Sequence, residues 1–389
     1  MDGKKNIYLD NNATTLVAPE VIEAMTPYFY EKWGNPSSIH TFGGKISRDI
    51  AKSREIIADF LNCKPSEIFF TASGSEGNNT ALKGFCENRG FEKSGIITTA
   101  VEHPAVLETA RYLASKGVFT REIGVDGKGN VNIDEICEGV NKNTLVSVMW
   151  ANNETGVIFP IEKIAQKVRS LGATMHTDAV QAAGKINIDL SEIPVDMLCF
   201  SGHKIHAPKG IGVIFVREGV KIESFIHGGH QENGFRAGTE NVPYIVGLAK
   251  ACELAKAGIE YENVEIRKLR DKLQENLLYE CKGAVLNGDK ENRLPNTLNI
   301  SFEFIEGEAI LLHLDENGIA ASSGSACTTG SLEPSHVMRA MGLAYTLAHS
   351  SIRFSISRYN TESDIDKVIE VLPGIIDKLR AISPFAGGK

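Results

Sequence analysis

Between about residues 66 and 216 one pattern recurs: a short β-rich run ends in a polar or glycine-containing loop, and an amphipathic helical stretch often follows. EIFFTASGSEGNNTALKGF, GIITTAVEHPAVLETARYLASKG and ATMHTDAVQAAGK are examples, as is TLVSVMWANNETG ahead of IEKIAQKVRSLG. Strands alternating with helices over this distance predict a mostly parallel, doubly wound α/β sheet, whose ligands bind beyond the strand carboxyl ends. The loops that follow strands are where chemistry is to be sought.

Past this region, residues 243–280 read as a long helical connector with Ile266, Leu269, Leu273 and Leu277 on one side. NTLNISFE, EGEAILLHLDENG, SIRFSIS and a last helix opening at TESD then predict a smaller α+β domain. Thr361 and Asp364 suit a capping box, and Pro373 is expected to kink that helix. At 389 residues the chain is long enough for about two domains. The expected division is a large domain over 15–255 and a small one over 256–389, with the segment 1–14 packing on the small one.

Charge narrows the partners. With 41 Lys plus Arg against 49 Asp plus Glu, the net charge of −8 gives no basic field for nucleic acid or an anionic membrane. Apolar runs stay well short of the roughly 18 residues that cross a bilayer, and MDGKKNIYLDNNATT carries no signal-peptide core, so the cytoplasm is the expected location. The seven cysteines are widely spaced with no C-x-x-C pair, which signals neither a disulfide framework nor a zinc site. A small-molecule enzyme is the leading class.

In VDMLCFSGHKIHAPKGIGVIFV, two apolar runs flank a tight polar loop holding Ser201, His203 and Lys204. A lone lysine there is more often solvated than catalytic. One strand and loop earlier, Asp178 and Gln181 lie in MHTDAVQ, with Asp178 where a strand should end and a helix begin. Its bland role is a helix N-cap. Its functional role is a carboxylate facing a cationic ring nitrogen, worth about 4 kcal/mol at roughly 4 Å and an effective dielectric near 20, before desolvation.

TASGSEGNN opens a helix whose free N–H groups suit a phosphate, with Gly74 and Ser75 at its start. Ordinary turns share that composition, but neither G-x-x-x-x-G-K-S/T nor a strand-linked G-x-G-x-x-G occurs, which excludes the nucleotide versions. His103 precedes Pro104 and the next helix, placing an imidazole over the same mouth. A Schiff-base lysine, an acid partner for a ring nitrogen, a phosphate anchor and a stacking imidazole together describe pyridoxal 5'-phosphate chemistry.

Cys327 lies in AASSGSACTTGSLEPSH, where no apolar periodicity buries it, so an exposed nucleophile or redox thiol competes evenly with an inert one. At an ordinary pKa of about 8.5 it needs a neighbouring base or positive charge. Cys86, Cys137, Cys199 and Cys252 sit in apolar or helical runs and read as core. Arg353 in SIRFSIS and Arg236 in GGHQENGFRAGTEN either meet an anionic ligand or form structural ion pairs. His203/His206 and His227/His230 have spacing metals sometimes use, but no third ligand is evident.

Eight motifs in order resemble the nitrogen-fixation (NifS-like) group of cysteine desulfurases within the fold-type I pyridoxal-phosphate enzymes of aminotransferase class V: YLDNNATT (8–15), GNPSS (34–38), EHPAV (102–106), WANNETG (150–156), HTDAVQ (176–181), SGHKIHAPKG (201–210), RAGTEN (236–241) and SSGSACTTGSLEPSHVMRAMG (322–342). The resemblance implies that Lys204 binds the cofactor as a Schiff base, Asp178 partners its ring nitrogen, and Gln181 donates to its ring hydroxyl. His103 would stack on the ring and carry protons. Gly74, Ser75, Ser201 and His203 would hold the phosphate, and Thr239 would reach the phosphate of a neighbouring subunit, hence a homodimer.

Asn153 and Arg353 would meet cofactor or substrate, with Arg353 on the substrate carboxylate, and Cys327 would accept the sulfur. The implied reaction converts L-cysteine to L-alanine and leaves a persulfide on Cys327 for an iron–sulfur scaffold protein, in nitrogenase maturation. No firm metal site follows, Cys327 being a candidate for a transient iron–sulfur ligand. Ser75 stands where many relatives have threonine, and the chain ends soon after its last helix at ISPFAGGK, without the longer tail of housekeeping relatives. The competing readings are a housekeeping desulfurase, a selenocysteine lyase or aminotransferase of the same fold, and a non-catalytic sulfur-assembly scaffold.

Overall fold

The computed structural model describes residues 6–323 and 334–384. Among these residues twelve strands form in chain order: β1 (Ile7–Tyr8), β2 (Ile68–Thr71), β3 (Gly95–Thr99), β4 (Phe119–Ile123), β5 (Thr144–Ser147), β6 (Thr174–Asp178), β7 (Met197–Ser201), β8 (Gly212–Val216), β9 (Ala284–Leu286), β10 (Thr297–Phe302), β11 (Ile319–Ala320) and β12 (Ser351–Ser355). Seven make the main sheet in the order β2-β8-β7-β6-β5-β3-β4. The pairs from β7 through β4 are parallel, and β8 is antiparallel to both of its neighbours. The expected mostly parallel α/β sheet is present.

Period-two alternation builds two cores from the same strands. Ile97, Val146, Met175 and Leu198 face a large cluster with the helices Thr41–Leu61, Ile161–Ser170 and Val242–Ala257. Their neighbours Ile96, Leu145, Met197 and Cys199 face the other side, where Gly74–Arg89 and Pro104–Ala114 pack. β3, β5, β6, β7 and β8 are buried throughout, whereas the edge strand β4 exposes Phe119 and Glu122.

The C-terminal region forms an antiparallel sheet, β12-β10-β9, covered by Arg267–Glu280, Gly307–Glu316 and Glu362–Ile382. Ile7 and Leu9 join its core beside Ile300, Phe354 and Leu372. The larger core also recruits Leu294, Val337, Met338, Met341 and Ala348, so the two regions share packing. Thr361 and Asp364 exchange the two hydrogen bonds of a capping box, at 3.3 and 2.9 Å. The last helix runs as one element through Pro373.

The connector is helical as expected, in segments: Val242–Ala257 ends at Gly258, and a π-turn over Glu262–Ile266 precedes Arg267–Glu280. One local expectation changes. No helix begins at Asp178; successive turns follow it, and Gly184 takes φ +75 with the chain against Ile205 and Ala255. Among the described residues no helix is long and apolar enough to cross a membrane.

Candidate active site

The carboxyl ends of β3, β5, β6 and β7 open onto a cavity of about 710 Å³. Its walls include Gly74, Ser75, His103, Asn153, Asp178, Gln181, Ser201, His203, Lys204 and Arg353, so most of the sequence-derived site residues converge. Thr239 does not line it and is exposed. Cys327 lies outside the described residues.

Lys204 ends a short 3-10 turn after β7, and its Nζ donates to the carbonyls of Asn12 at 2.5 Å and Ala13 at 2.7 Å. The N-terminal YLDNNATT segment thereby holds the amine at the cavity. Asp178, 5% exposed, ends β6 with Oδ1 accepting from the Val180 N–H at 2.9 Å and Oδ2 accepting from Asn78 Nδ2 at 2.6 Å. The cap expected of it closes a turn, and its second oxygen is set by a helix residue a hundred positions earlier. Gln181 spends its amide hydrogen on the Asn12 carbonyl at 3.1 Å and leaves Oε1 buried without a hydrogen-bond partner.

His103 is the N-cap of Pro104–Ala114: its Nδ1 accepts from the Ala105 N–H at 3.1 Å. Burial lowers its pKa, partly opposed by the Asp178 charge. The preceding residue, Glu102, is wholly buried; its Oε1 accepts from Thr99 Oγ1 at 2.7 Å and the Met149 N–H at 2.9 Å, and Oε2 has no partner. Burial pushes that carboxyl up to about 8.

At the opposite wall, Ser73 Oγ caps the helix Gly74–Arg89 by accepting from the Glu76 N–H at 3.1 Å. A Cβ on Gly74 would come within 2.8 Å of Val180 Cγ2, so glycine lets the helix start lie against the Asp178 turn. Ser201, His203 and the exposed Lys209 stand at the same cavity, with His203 Nδ1 3.2 Å from Thr14 Oγ1. Burial and then the Lys204 charge lower the His203 pKa to about 4.

Arg353 projects from β12. Its Nη2 meets Asp10 Oδ1 at 2.7 Å and its Nη1 the Asn153 carbonyl at 3.0 Å, while Nε is buried without a partner. The structural ion pair is thus present, and the guanidinium still faces the cavity. Arg236 is committed elsewhere, to Glu76 at 2.9 and 3.2 Å. Cys86, Cys137, Cys199 and Cys252 are buried as expected, and among the described residues no His, Cys, Asp and Glu group could hold a metal ion. Asn12, Asn78, Ser335, His336 and Arg339 also line or support the cavity and escaped the sequence reading. All five lay inside quoted segments without a role assigned to them.

This donor set fits a phosphorylated heteroaromatic aldehyde. An amine and a carboxylate line the same cavity, the unpartnered Gln181 Oε1 awaits a donor, and a glycine-started helix N-terminus with Ser75, Ser201 and Lys209 suits an anion.

The aminotransferase class-V family model matches residues 7–368. A cysteine desulfurase of Trichormus azollae is 54% identical over 380 residues, covering 97% of this chain and 95% of the relative. Cysteine desulfurase NifS of Azotobacter vinelandii is 50% identical over 385 residues, with 98% and 96% covered. A solved structure titled NifS-like protein superposes with a TM-score of 0.90 at 40% identity, covering 96% of this chain and all of its own.

Proposed function

We infer the reaction from a plain premise: this chain belongs to the aminotransferase class-V family, among its NifS-like cysteine desulfurases. It is a cysteine desulfurase, an enzyme of a pyridoxal-phosphate-dependent family. The observation that carries our assignment of its site is the convergence of Lys204, Asp178, Gln181, His103 and Arg353 on one cavity.

Pyridoxal 5'-phosphate is proposed to bind there and to supply an electron sink for the substrate α-carbon. Lys204 would hold it covalently, Asp178 would face its ring nitrogen, and Gly74, Ser75, Ser201 and His203 would hold its phosphate. Substrate L-cysteine would pair its carboxylate with Arg353, beside Asn153. The Lys204 amine would move the substrate α-proton. The thiolate of Cys327 then attacks the substrate sulfur, the carbon–sulfur bond breaks, alanine leaves, and Cys327 carries the persulfide.

A second copy of the chain is the proposed partner subunit, with Thr239 serving its neighbour's phosphate. Supporting this, Thr239 is exposed away from its own cavity, and Leu16, Phe29, Tyr30, Trp33 and Ile39 leave an exposed apolar surface near the N-terminus. The six cysteines among the described residues are unpaired, which suits the proposed cytoplasmic location. The separate C-terminal core, which Ile7 and Leu9 join, supports the proposed division into a large domain over 15–255 and a small one over 256–389 with the segment 1–14 packing on it, although Leu294, Val337, Met338, Met341 and Ala348 pack into the larger core. Iron–sulfur assembly on a scaffold protein, in nitrogenase maturation, is the proposed destination of the sulfur. It rests on the NifS name of the Azotobacter relative. Restored nitrogenase activity in a host lacking its own NifS-type enzyme would support it.

The test of the reaction is to incubate the holoenzyme with L-cysteine and a reductant and quantify products. Equal alanine and sulfide are expected, with sulfide lost in Cys327→Ser. Pyruvate or a keto acid in place of alanine, or undiminished sulfide from Cys327→Ser, would contradict it.

A further inference from the structure

Three histidines line this cavity, and the hydrogen bonds of two of them, His103 and His336, turn opposite ring nitrogens to it. His103 Nδ1 accepts from the Ala105 N–H at 3.1 Å, so in the neutral ring the proton sits on Nε2. That ring offers a hydrogen-bond donor at Nε2 and cannot take a proton there. Burial, with the neighbouring Lys204 and His336 charges, opposes a second proton on it and outweighs the Asp178 charge that favours one.

His336 is bonded the other way. Its Nε2 lies 2.9 Å from the carbonyl oxygen of Glu102. A carbonyl only accepts, so Nε2 must carry the hydrogen, and Nδ1 is the nitrogen left with a lone pair. The ring lines the cavity at the first turn of the helix His336–Ala340, which Ser335 caps by accepting from Val337 and Met338 N–H groups at 3.1 and 3.4 Å.

The same Ser335 hydroxyl donates to Glu154 Oε2 at 2.5 Å, which fixes the helix start to the turn after β5. Glu154 is buried, and burial raises its pKa, partly opposed by the Ser335 hydrogen bond and by the charges of His336 and Arg353. The other ionisable groups at this cavity are Glu102 and His103 on the turn after β3, Arg353 on β12, Arg339 on the same helix, and Asp178, His203, Lys204 and Lys209 at the ring and phosphate walls.

We propose that His336, through Nδ1, is the base that takes the substrate thiol proton, while His103 keeps its proton and offers only a hydrogen bond from Nε2. In this step the substrate S–H bond breaks, an N–H bond forms at His336, and the electron pair stays on sulfur, with no change of oxidation state. The assignment rests on the desulfurase reading of the cavity. It gives to His336 the thiol deprotonation that the sequence reading gave to His103.

The test uses the holoenzyme with L-cysteine. His336→Gln keeps an amide hydrogen for the Glu102 carbonyl and removes the base, so alanine formation should fall about 100-fold or more and the acidic limb of the kcat/KM profile should vanish. His103→Gln should retain that limb. Nitrogen NMR of histidine-labelled wild type, which needs no variant to fold, should show both neutral rings protonated at Nε2. A His336→Gln enzyme with wild-type rate and an intact limb, a limb lost in His103→Gln instead, or a neutral His336 protonated at Nδ1 would overturn the proposal. If the wild type forms no alanine from L-cysteine, it is the desulfurase reading that fails.

Discussion

Asn78 and Asp178, a hundred residues apart, are joined by a 2.6 Å hydrogen bond from the Asn78 amide to Asp178 Oδ2, and both line the same cavity. The bond orients the carboxylate proposed to face the cofactor ring nitrogen. Asn78→Ala leaves a buried carboxylate oxygen without its donor, a loss of about 1.5–3 kcal/mol where a charged group is involved. Cofactor affinity, followed by absorbance titration of the apoprotein, should weaken by at least about tenfold. Unchanged affinity would remove Asn78 from the site's architecture.

Glu102 makes stability depend on pH in the sense opposite to most carboxylates. Its folded-state pKa is raised by burial to about 8 from an ordinary 4.5, so the folded chain holds a proton that the unfolded chain has released. Its contribution is complete below the unfolded value and is lost as pH climbs through the window from 4.5 to about 8, by at most about 1.4 kcal/mol per pH unit. Glu102→Gln carries no such proton. The melting temperature of the variant should gain on that of the wild type between acidic and mildly alkaline buffer, and a constant difference would contradict a neutral buried Glu102.

Arg54 and Glu232 form a two-pronged ion pair at 2.8 and 2.7 Å, and Glu232 Oε2 also accepts from the Phe70 N–H at 2.9 Å. The Glu232 side chain is only 4% exposed. Removing the cation strands a buried charge, which costs about 3–5 kcal/mol, whereas a neutral amide at 232 keeps an acceptor for Phe70. Denaturant unfolding should therefore show Arg54→Met markedly less stable than Glu232→Gln. Equal losses would mean that the charge is not what matters.

Gly77 packs against the sheet so closely that an added Cβ would stand 2.9 Å from Cys199 Sγ and 3.3 Å from its Cβ. Gly77→Ala should cost about 1–3 kcal/mol through overpacking. Adding Cys199→Ala should return part of that loss, because it removes the sulfur the methyl meets. A double variant no more stable than Gly77→Ala alone would place the strain elsewhere.

The sheet was legible because burial on both faces leaves local marks: continuous apolar runs such as MLCF, each closed by a polar loop. Lys204, Asp178 and His103 were legible for the same reason, since each stands just past a strand. Asn78, Asn12 and His336 were not, because their roles arise only from partners far along the chain, as Asn78 to Asp178 and His336 to Glu102. Arg353 was read as either ion pair or substrate anchor; it makes the ion pair with Asp10 and yet lines the cavity, a combination that no spacing records. In the missed turns after Asp178, Gly184 takes a positive φ and the chain packs against Ile205 and Ala255, despite a helix-favouring run of alanines.

The central claim is that sulfur from L-cysteine comes to rest on Cys327. Holoenzyme given one equivalent of L-cysteine without reductant, alkylated, digested and weighed peptide by peptide, reads this directly. One added sulfur atom on the peptide carrying Cys327, matched by an equal amount of alanine, is the predicted result. Alanine released with that peptide unchanged would contradict it.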